Sequence, residues 1–163
     1  MNKLRGLFVV MLFVSLFACS SKDSVDEITQ RGTVEFKLNG TSKKFTKANS
    51  YVISGESILL TFGNDKREIV TFRIPEVKEK DLPATFDMNH KGNVLSAGYA
   101  AGNDVYLATN GINGIGKIGD FSITVTAYGN KKISGKFSLK AKHSENTSTV
   151  TITDGNFTDV RIY

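Results

Sequence analysis

From Thr33 to the last residue, apolar and polar side chains take turns, and this two-residue rhythm constrains the fold more than any other feature. Successive side chains of a strand leave opposite faces, so alternation marks a ribbon buried on one side. Val34, Phe36 and Leu38 share a face, and Asn39-Gly40 is a residue pair favoured in two-residue hairpin loops. A second strand is predicted over Lys43–Thr46 and a third over Tyr51–Ile53. Ile58, Leu60 and Phe62 alternate up to Gly63-Asn64-Asp65, and Val70, Phe72 and Ile74 up to Pro75. Glu76–Asp81 is charged and reads as a loop or one helical turn, with a short strand over Pro83–Met88 behind it. Leu95, Ala97 and Tyr99 form another face, continued by Val105 and Leu107. Phe121, Ile123, Val125 and Ala127 alternate, then Ile133, Phe137 and Leu139 around Gly135. Val150 and Ile152 lead to Asp154-Gly155-Asn156, read as a turn, and Phe157, Val160 and Ile162 form a closing strand. No long pattern keeps the helical period of 3.6 residues.

Ten or so short strands joined by tight turns predict an all-β domain, either an antiparallel β-sandwich or an antiparallel β-barrel. Val34, Phe36, Leu60, Phe62, Phe72, Ile123, Val125, Phe137, Leu139, Val150 and Ile152 are expected inside it. Composition agrees: Trp is absent and Pro occurs only twice, while Gly, Thr, Ser and Asn supply turn and strand residues.

The first 18 residues have a different pattern. Lys3 and Arg5 precede an apolar run from Leu7 to Phe17, which is shorter than the roughly 20 residues of a membrane-spanning helix. A positive start, a short apolar middle and a small residue at the end are the marks of a secretory signal peptide. Leu16-Phe17-Ala18-Cys19 resembles the lipobox of bacterial lipoproteins, with Phe17 bulkier than usual at its place. That resemblance implies cleavage before Cys19 and a diacylglycerol on its thiol, with further acylation of the new amine. A lone cysteine in an exported chain otherwise lacks an explanation. The implied location is the bacterial cell envelope, with a lipid anchor in the outer membrane on either its periplasmic or its surface face.

Removal of residues 1–18 leaves 145 of 163 and lowers the formal charge from +5 to +3, since Lys3 and Arg5 go and no acid does. That length suits one domain. Residues 19–31 are polar and aperiodic and read as a lipidated tether, and 32–163 as the β domain. No internal disulfide is available, because Cys19 is the only cysteine. A balance of +3 is no nucleic-acid footprint. Asp23-Ser24-Val25 in the tether resembles the Asp-(Ser/Thr)-aliphatic O-glycosylation site of Bacteroidota exported proteins, which makes Ser24 a candidate acceptor. The Asn-x-Ser/Thr triplets at Asn39, Asn146 and Asn156 carry no such meaning in a bacterial lipoprotein.

Catalytic and metal-binding patterns are sparse. Gly111 to Ile118 nearly spells a phosphate-binding loop, but Ile118 replaces the hydroxyl residue and strand-like sequence follows where a helix is needed. The segment reads as a glycine-rich loop between strands. His90 and His143 lack the spacing of metal ligands and read as exposed residues near turns. Asp154-Gly155-Asn156 lacks a full calcium loop around it. No nucleophile elbow or carboxylate pair stands out. No cofactor, metal or catalytic residue is predicted.

Lys131–Lys142 carries the most chemistry. Ile133, Gly135, Phe137, Leu139 and Ala141 leave one face; Lys132, Lys136, Lys140 and Lys142 leave the other with Ser134 and Ser138. This basic stripe reads as a solvated face or an edge strand guarded by lysines. The alternative is a surface for an anionic glycan, lipopolysaccharide phosphate or an acidic partner.

Two segments carry a family resemblance. Ser134-Gly135-Lys136-Phe137-Ser138-Leu139 and Val150-Thr151-Ile152-Thr153-Asp154-Gly155-Asn156-Phe157-Thr158-Asp159-Val160 resemble the ending of small uncharacterised lipoproteins from Bacteroidota. Val34 to Gly40 is similar to their opening strand. The resemblance implies an all-β domain of unknown function and no catalytic residues. The function expected is a non-enzymatic, membrane-anchored envelope module that binds a glycan, peptide or partner protein. The alternatives are an immunity or inhibitor lipoprotein that neutralises a toxin or hydrolase, and a hydrolase of unrecognised type.

Overall fold

The computed structural model describes residues 32–53, 57–91, 95–111 and 116–163. The segments read as signal peptide and tether, with Cys19 and Ser24, lie outside the described residues. Eleven strands follow in chain order: β1 (Thr33–Leu38), β2 (Thr41–Phe45), β3 (Lys47–Ile53), β4 (Ser57–Gly63), β5 (Glu68–Pro75), β6 (Ala84–Asp87), β7 (Ser96–Ala101), β8 (Asp104–Thr109), β9 (Asp120–Gly129), β10 (Lys132–His143) and β11 (Thr149–Ile162). One 3-10 turn at Glu79–Asp81 interrupts them, in the charged stretch read as a loop or single turn.

The strands form two layers. One sheet runs β2-β1-β11-β10-β9-β6 and the other β3-β4-β5-β7-β8. They meet along two short seams. At one, β11 pairs in parallel with β3 through Arg161–Asn49 and Ile162–Ser50. At the other, β10 pairs with β8 through Lys142–Leu107 and His143–Tyr106. Every other pairing is antiparallel. The seams curl the two layers into a nearly closed barrel, so the sandwich and barrel descriptions both fit.

Turn chemistry acts where the sequence places it. Asn39 and Gly40, with φ of 48° and 85°, form the two-residue loop between β1 and β2. Positive φ at both central residues is what lets such a turn follow the strand twist. Asn39 also ties the loop down, since its Oδ1 accepts the Thr151 N–H at 2.9 Å.

The 14 residues of β11 depart from the sequence reading. Asp154-Gly155-Asn156 is not a turn, for the strand runs through it. Phe137 and Leu139, two residues apart, face Gly155 and Ile152, three apart. Ile133 and Gly135 likewise face Val160 and Phe157. Each offset inserts one extra residue into β11, at Asp154 and Asp159, whose φ values are 54° and 55°. Such bulges bend and twist a strand. Here they carry β11 from its pairing with β1 to its pairing with β3.

Every residue expected inside is buried. The centre is aromatic: the Phe137 ring lies 5.1 Å from Phe72, 5.7 Å from Phe62, 6.0 Å from Phe36 and 6.3 Å from Phe157, centroid to centroid. Two glycines make room for these rings. Gly135 faces Phe157 and Gly155 faces Phe137 across the same ladder. A Cβ on Gly135 would stand 2.6 Å from the Phe157 ring and 2.2 Å from the Thr124 carbonyl oxygen; one on Gly155 would stand 2.7 Å from the Phe137 ring. The two Gly-x-Phe triplets thus interlock, each ring covering the other strand's glycine.

One face is turned opposite to the alternation reading. Val105 and Leu107 point out, at 38% and 46% exposure, while Ala108 is buried and Tyr106 packs on the core. The cause is register. A two-residue loop at Gly102-Asn103 sets Ala97 opposite Ala108 and Tyr99 opposite Tyr106. Directly opposed residues share a face, so the buried Ala97 and Tyr99 dictate the choice.

Candidate binding surfaces

The outer face of β10 presents Lys132, Lys136, Lys140 and Lys142, all exposed, in strict alternation with the buried Ile133, Gly135, Phe137, Leu139 and Ala141. Lys136 to Lys142 spans roughly 20 Å at about 3.3 Å per residue. The edge-guard explanation fails, because β10 is flanked by β9 and β8 on one side and β11 on the other. Its lysines protect no open edge. Their cross-strand neighbours are mostly small and polar: Thr124 and Asn156 beside Lys136, Asp120 and Thr151 beside Lys140, Thr149 beside Lys142.

Some of the described lysines are ion-paired and others are not. Lys37 meets Asp154 at 2.9 Å, Lys44 meets Glu35 at 2.9 Å, and Lys47 pairs with Asp65. Lys132 reaches Asp159 at 3.6 Å. Among the described residues, Lys136, Lys140 and Lys142 have no carboxylate within ion-pair distance. Three of the four stripe lysines are therefore unpaired, with one acid, Asp120, directly across the ladder from Lys140.

A second surface lies round the corner of the barrel, where Leu107 stands opposite Lys142. Three of the four large exposed apolar side chains among the described residues gather there: Ile69 on β5 and Val105 and Leu107 on β8. Between them runs β7 with Gly98 and Ala100 facing out. Small residues on the middle strand and large ones on both neighbours make a shallow trough of about 80 Å³. The alternation reading runs Val105 and Leu107 on from Leu95, Ala97 and Tyr99 and so misses it. The signal is the two-residue loop, which fixes the register.

Glu68 is the most heavily bonded acid among the described residues. It accepts from Lys43 Nζ at 2.8 Å, Asn64 Nδ2 at 2.6 Å and Tyr99 OH at 3.0 Å. Partial burial pushes its carboxyl up; the hydrogen bonds from Lys43, Asn64 and Tyr99, with the Lys43 charge, outweigh this and leave it below the usual carboxylate value. The Tyr99 phenol is pushed well above its ordinary value, first by burial and then by the bond to Glu68. The cluster fastens β2 to the start of β5, and its polar atoms are spent on one another.

His143 is not the exposed residue the sequence suggested. Its side chain is only 8% exposed, with Nε2 3.5 Å from Asp104 and the ring edge-on to Tyr106 at 5.0 Å. Nδ1 accepts the Glu145 N–H at 3.0 Å and so stabilises the turn after β10. His90 is half-buried and packs on Phe86 at 5.3 Å. The histidines lie on different turns and are not brought together. Of the glycine-rich loop, 112–115 lie outside the described residues. Thr109 and Ile118 exchange backbone hydrogen bonds at its base, and β9, a strand, begins at Asp120. The segment that follows therefore offers no helix N-terminus to a phosphate. Asp154, considered for calcium, is engaged by Lys37.

Comparison with known proteins found no match among curated proteins and none among solved structures. One family model, described as a domain of unknown function (DUF6252), matches residues 30–161, nearly the whole β domain as drawn above, and the chain belongs to that family.

Proposed function

We propose that the chain is a lipid-anchored module of the bacterial cell envelope that binds an anionic glycan, an acidic peptide or an acidic partner protein along the outer face of β10. The observation that carries this reading is the run of three exposed lysines, Lys136, Lys140 and Lys142, none within ion-pair distance of a described carboxylate and set among Ser, Thr and Asn side chains with a single acid, Asp120, across from Lys140. Like charges held on a rigid strand repel one another, and a complementary anion removes that repulsion. Small polar neighbours leave the ammonium groups accessible and add hydrogen-bonding partners. The well-bonded Glu68 and His143 are engaged in holding the fold, which supports binding over catalysis.

Two experiments test it. Cys19→Ala is expected to leave an unprocessed or soluble protein that no longer partitions with membranes; persistent lipidation and membrane partition would end the anchor reading. For the stripe, the wild type and Lys136→Glu/Lys140→Glu are compared on immobilised lipopolysaccharide, heparin and polyglutamate at rising salt. The wild type is expected to bind at least one, with retention falling as the Debye length shrinks from about 10 Å at 0.1 M to about 3 Å at 1 M. The reversal variant is expected to fold normally and to bind none. Equal retention of both proteins would assign the stripe to solvation alone.

A further inference from the structure

We infer that the outer face of β5, β7 and β8 is a membrane-contact face that lays the domain on the anionic bilayer holding its own anchor. Soluble domains rarely expose several large aliphatic side chains side by side without use for them. Ile69, Val105 and Leu107 do so here around the Gly98 and Ala100 floor. The surroundings of this trough decide its occupant. Arg73 stands four residues along the same face of β5 from Ile69, and Lys142 is directly opposite Leu107. Arg67 ends the turn before β5 and is exposed. None of the three forms an ion pair with a described residue. Asp104, at the start of β8, lies 3.5 Å from His143 Nε2.

Exposed aliphatics rimmed by such cations match an anionic headgroup layer, where apolar side chains enter the acyl boundary and Lys and Arg meet phosphates. Chain length agrees. The 13 residues from Cys19 to Arg31 extend at most roughly 47 Å, at about 3.6 Å per residue. A domain so tethered never leaves the neighbourhood of its bilayer, so a weak face is occupied by proximity. This step rests on the anchor proposed above. In the resulting orientation, the six-stranded sheet that carries Lys136 and Lys140 points away from the bilayer.

The chain lacks tryptophan, so a single introduced indole reports on its surroundings without interference. Leu107→Trp, Val105→Trp and, as a control on the other sheet, Thr158→Trp are made in the full chain. Each is made with Cys19 intact and with Cys19→Ala. The purified proteins are placed with vesicles of phosphatidylcholine alone or with phosphatidylglycerol added. Blue-shifted emission and quenching by brominated lipid are expected for the Leu107→Trp and Val105→Trp proteins in the anionic vesicles only, and not for Thr158→Trp. Adding Arg73→Glu/Lys142→Glu is expected to abolish the shift.

With Cys19→Ala, which no longer co-sediments with membranes, a weak and reversible shift is expected only at saturating concentrations of anionic vesicles, which tests the face apart from the anchor. Lipidated Leu107→Trp and Val105→Trp proteins whose emission remains solvent-like on anionic vesicles would overturn this inference and leave the anchor standing. A blue shift that grows with protein concentration in the absence of vesicles would overturn it too, assigning the face to a second copy of the chain. An equal shift in the Thr158→Trp control would reduce it to unspecific adsorption.

Discussion

Gly135 and Gly155 show what single residues contribute. In a strand interior glycine has no side chain to pack and weakens the ladder. Here the missing Cβ is the space that Phe157 and Phe137 fill. Gly135→Ala sets a methyl group against both a ring and a carbonyl oxygen, neither of which is the free end of a flexible chain. Overpacking of this kind costs about 1–3 kcal/mol or more. Phe137→Ala acts in the opposite sense, leaving a hole among Phe36, Phe62 and Phe72, and is expected to cost about 3–5 kcal/mol. Urea titration of both variants checks these values. A loss below about 1 kcal/mol for Phe137→Ala would mean that the core can close over the gap. The burial of both phenylalanines is legible from alternation. Their exchange of places with two glycines is not, because it depends on the register between two separate strands.

At the scale of elements, the hairpin of β1 and β2 is fastened to the other sheet through Lys43 and Glu68. Glu68→Ala removes the acceptor for the mostly buried Tyr99 hydroxyl, and an orphaned polar group of that kind costs about 1–3 kcal/mol. A pH dependence follows. The folded Glu68 carboxyl lies below its ordinary value, so folding favours its charged form. Its contribution is fully present above the unfolded value of about 4.3 and is lost as pH falls through the folded value. The stability gap between wild type and Glu68→Gln is therefore expected to be largest near neutrality and to close in acid, as read from urea midpoints across that range. A gap independent of pH would show that the carboxylate charge plays no part. Elements are the most legible level of this chain. Strand order along the sequence and most inward faces follow from period-two alternation and from the Asn39-Gly40 turn. The failures have one source. Val105, Leu107, Asp154 and the flanked position of β10 depend on which strand lies alongside, and alternation within one strand carries no information about its neighbours.

For the molecule as a whole, closure depends on the last few residues. β11 touches β10 along its length, β1 over its first part and β3 only through Arg161 and Ile162. Val160 is fully buried and Ile162 nearly so, and the Ile162 N–H donates to the Lys131 carbonyl oxygen at 2.8 Å. Deleting Val160 to Tyr163 removes one of the two seams between the sheets together with these two side chains. Burying such a side chain contributes about 1.5–3 kcal/mol, so the deletion forfeits roughly 3–6 kcal/mol. A domain of this size holds about 5–15 kcal/mol in total. The truncated chain is expected to unfold at a much lower urea concentration. A frayed end alone would leave the midpoint unchanged, with β3 still protected. Hydrogen exchange separates the two outcomes, because loss of the seam exposes the β3 amides along with the neighbouring β4, whereas fraying exposes only the end of β11. We expect β3 and β4 to lose protection together. Retained protection in both strands, with an unshifted midpoint, would show that the sandwich stands without its second seam.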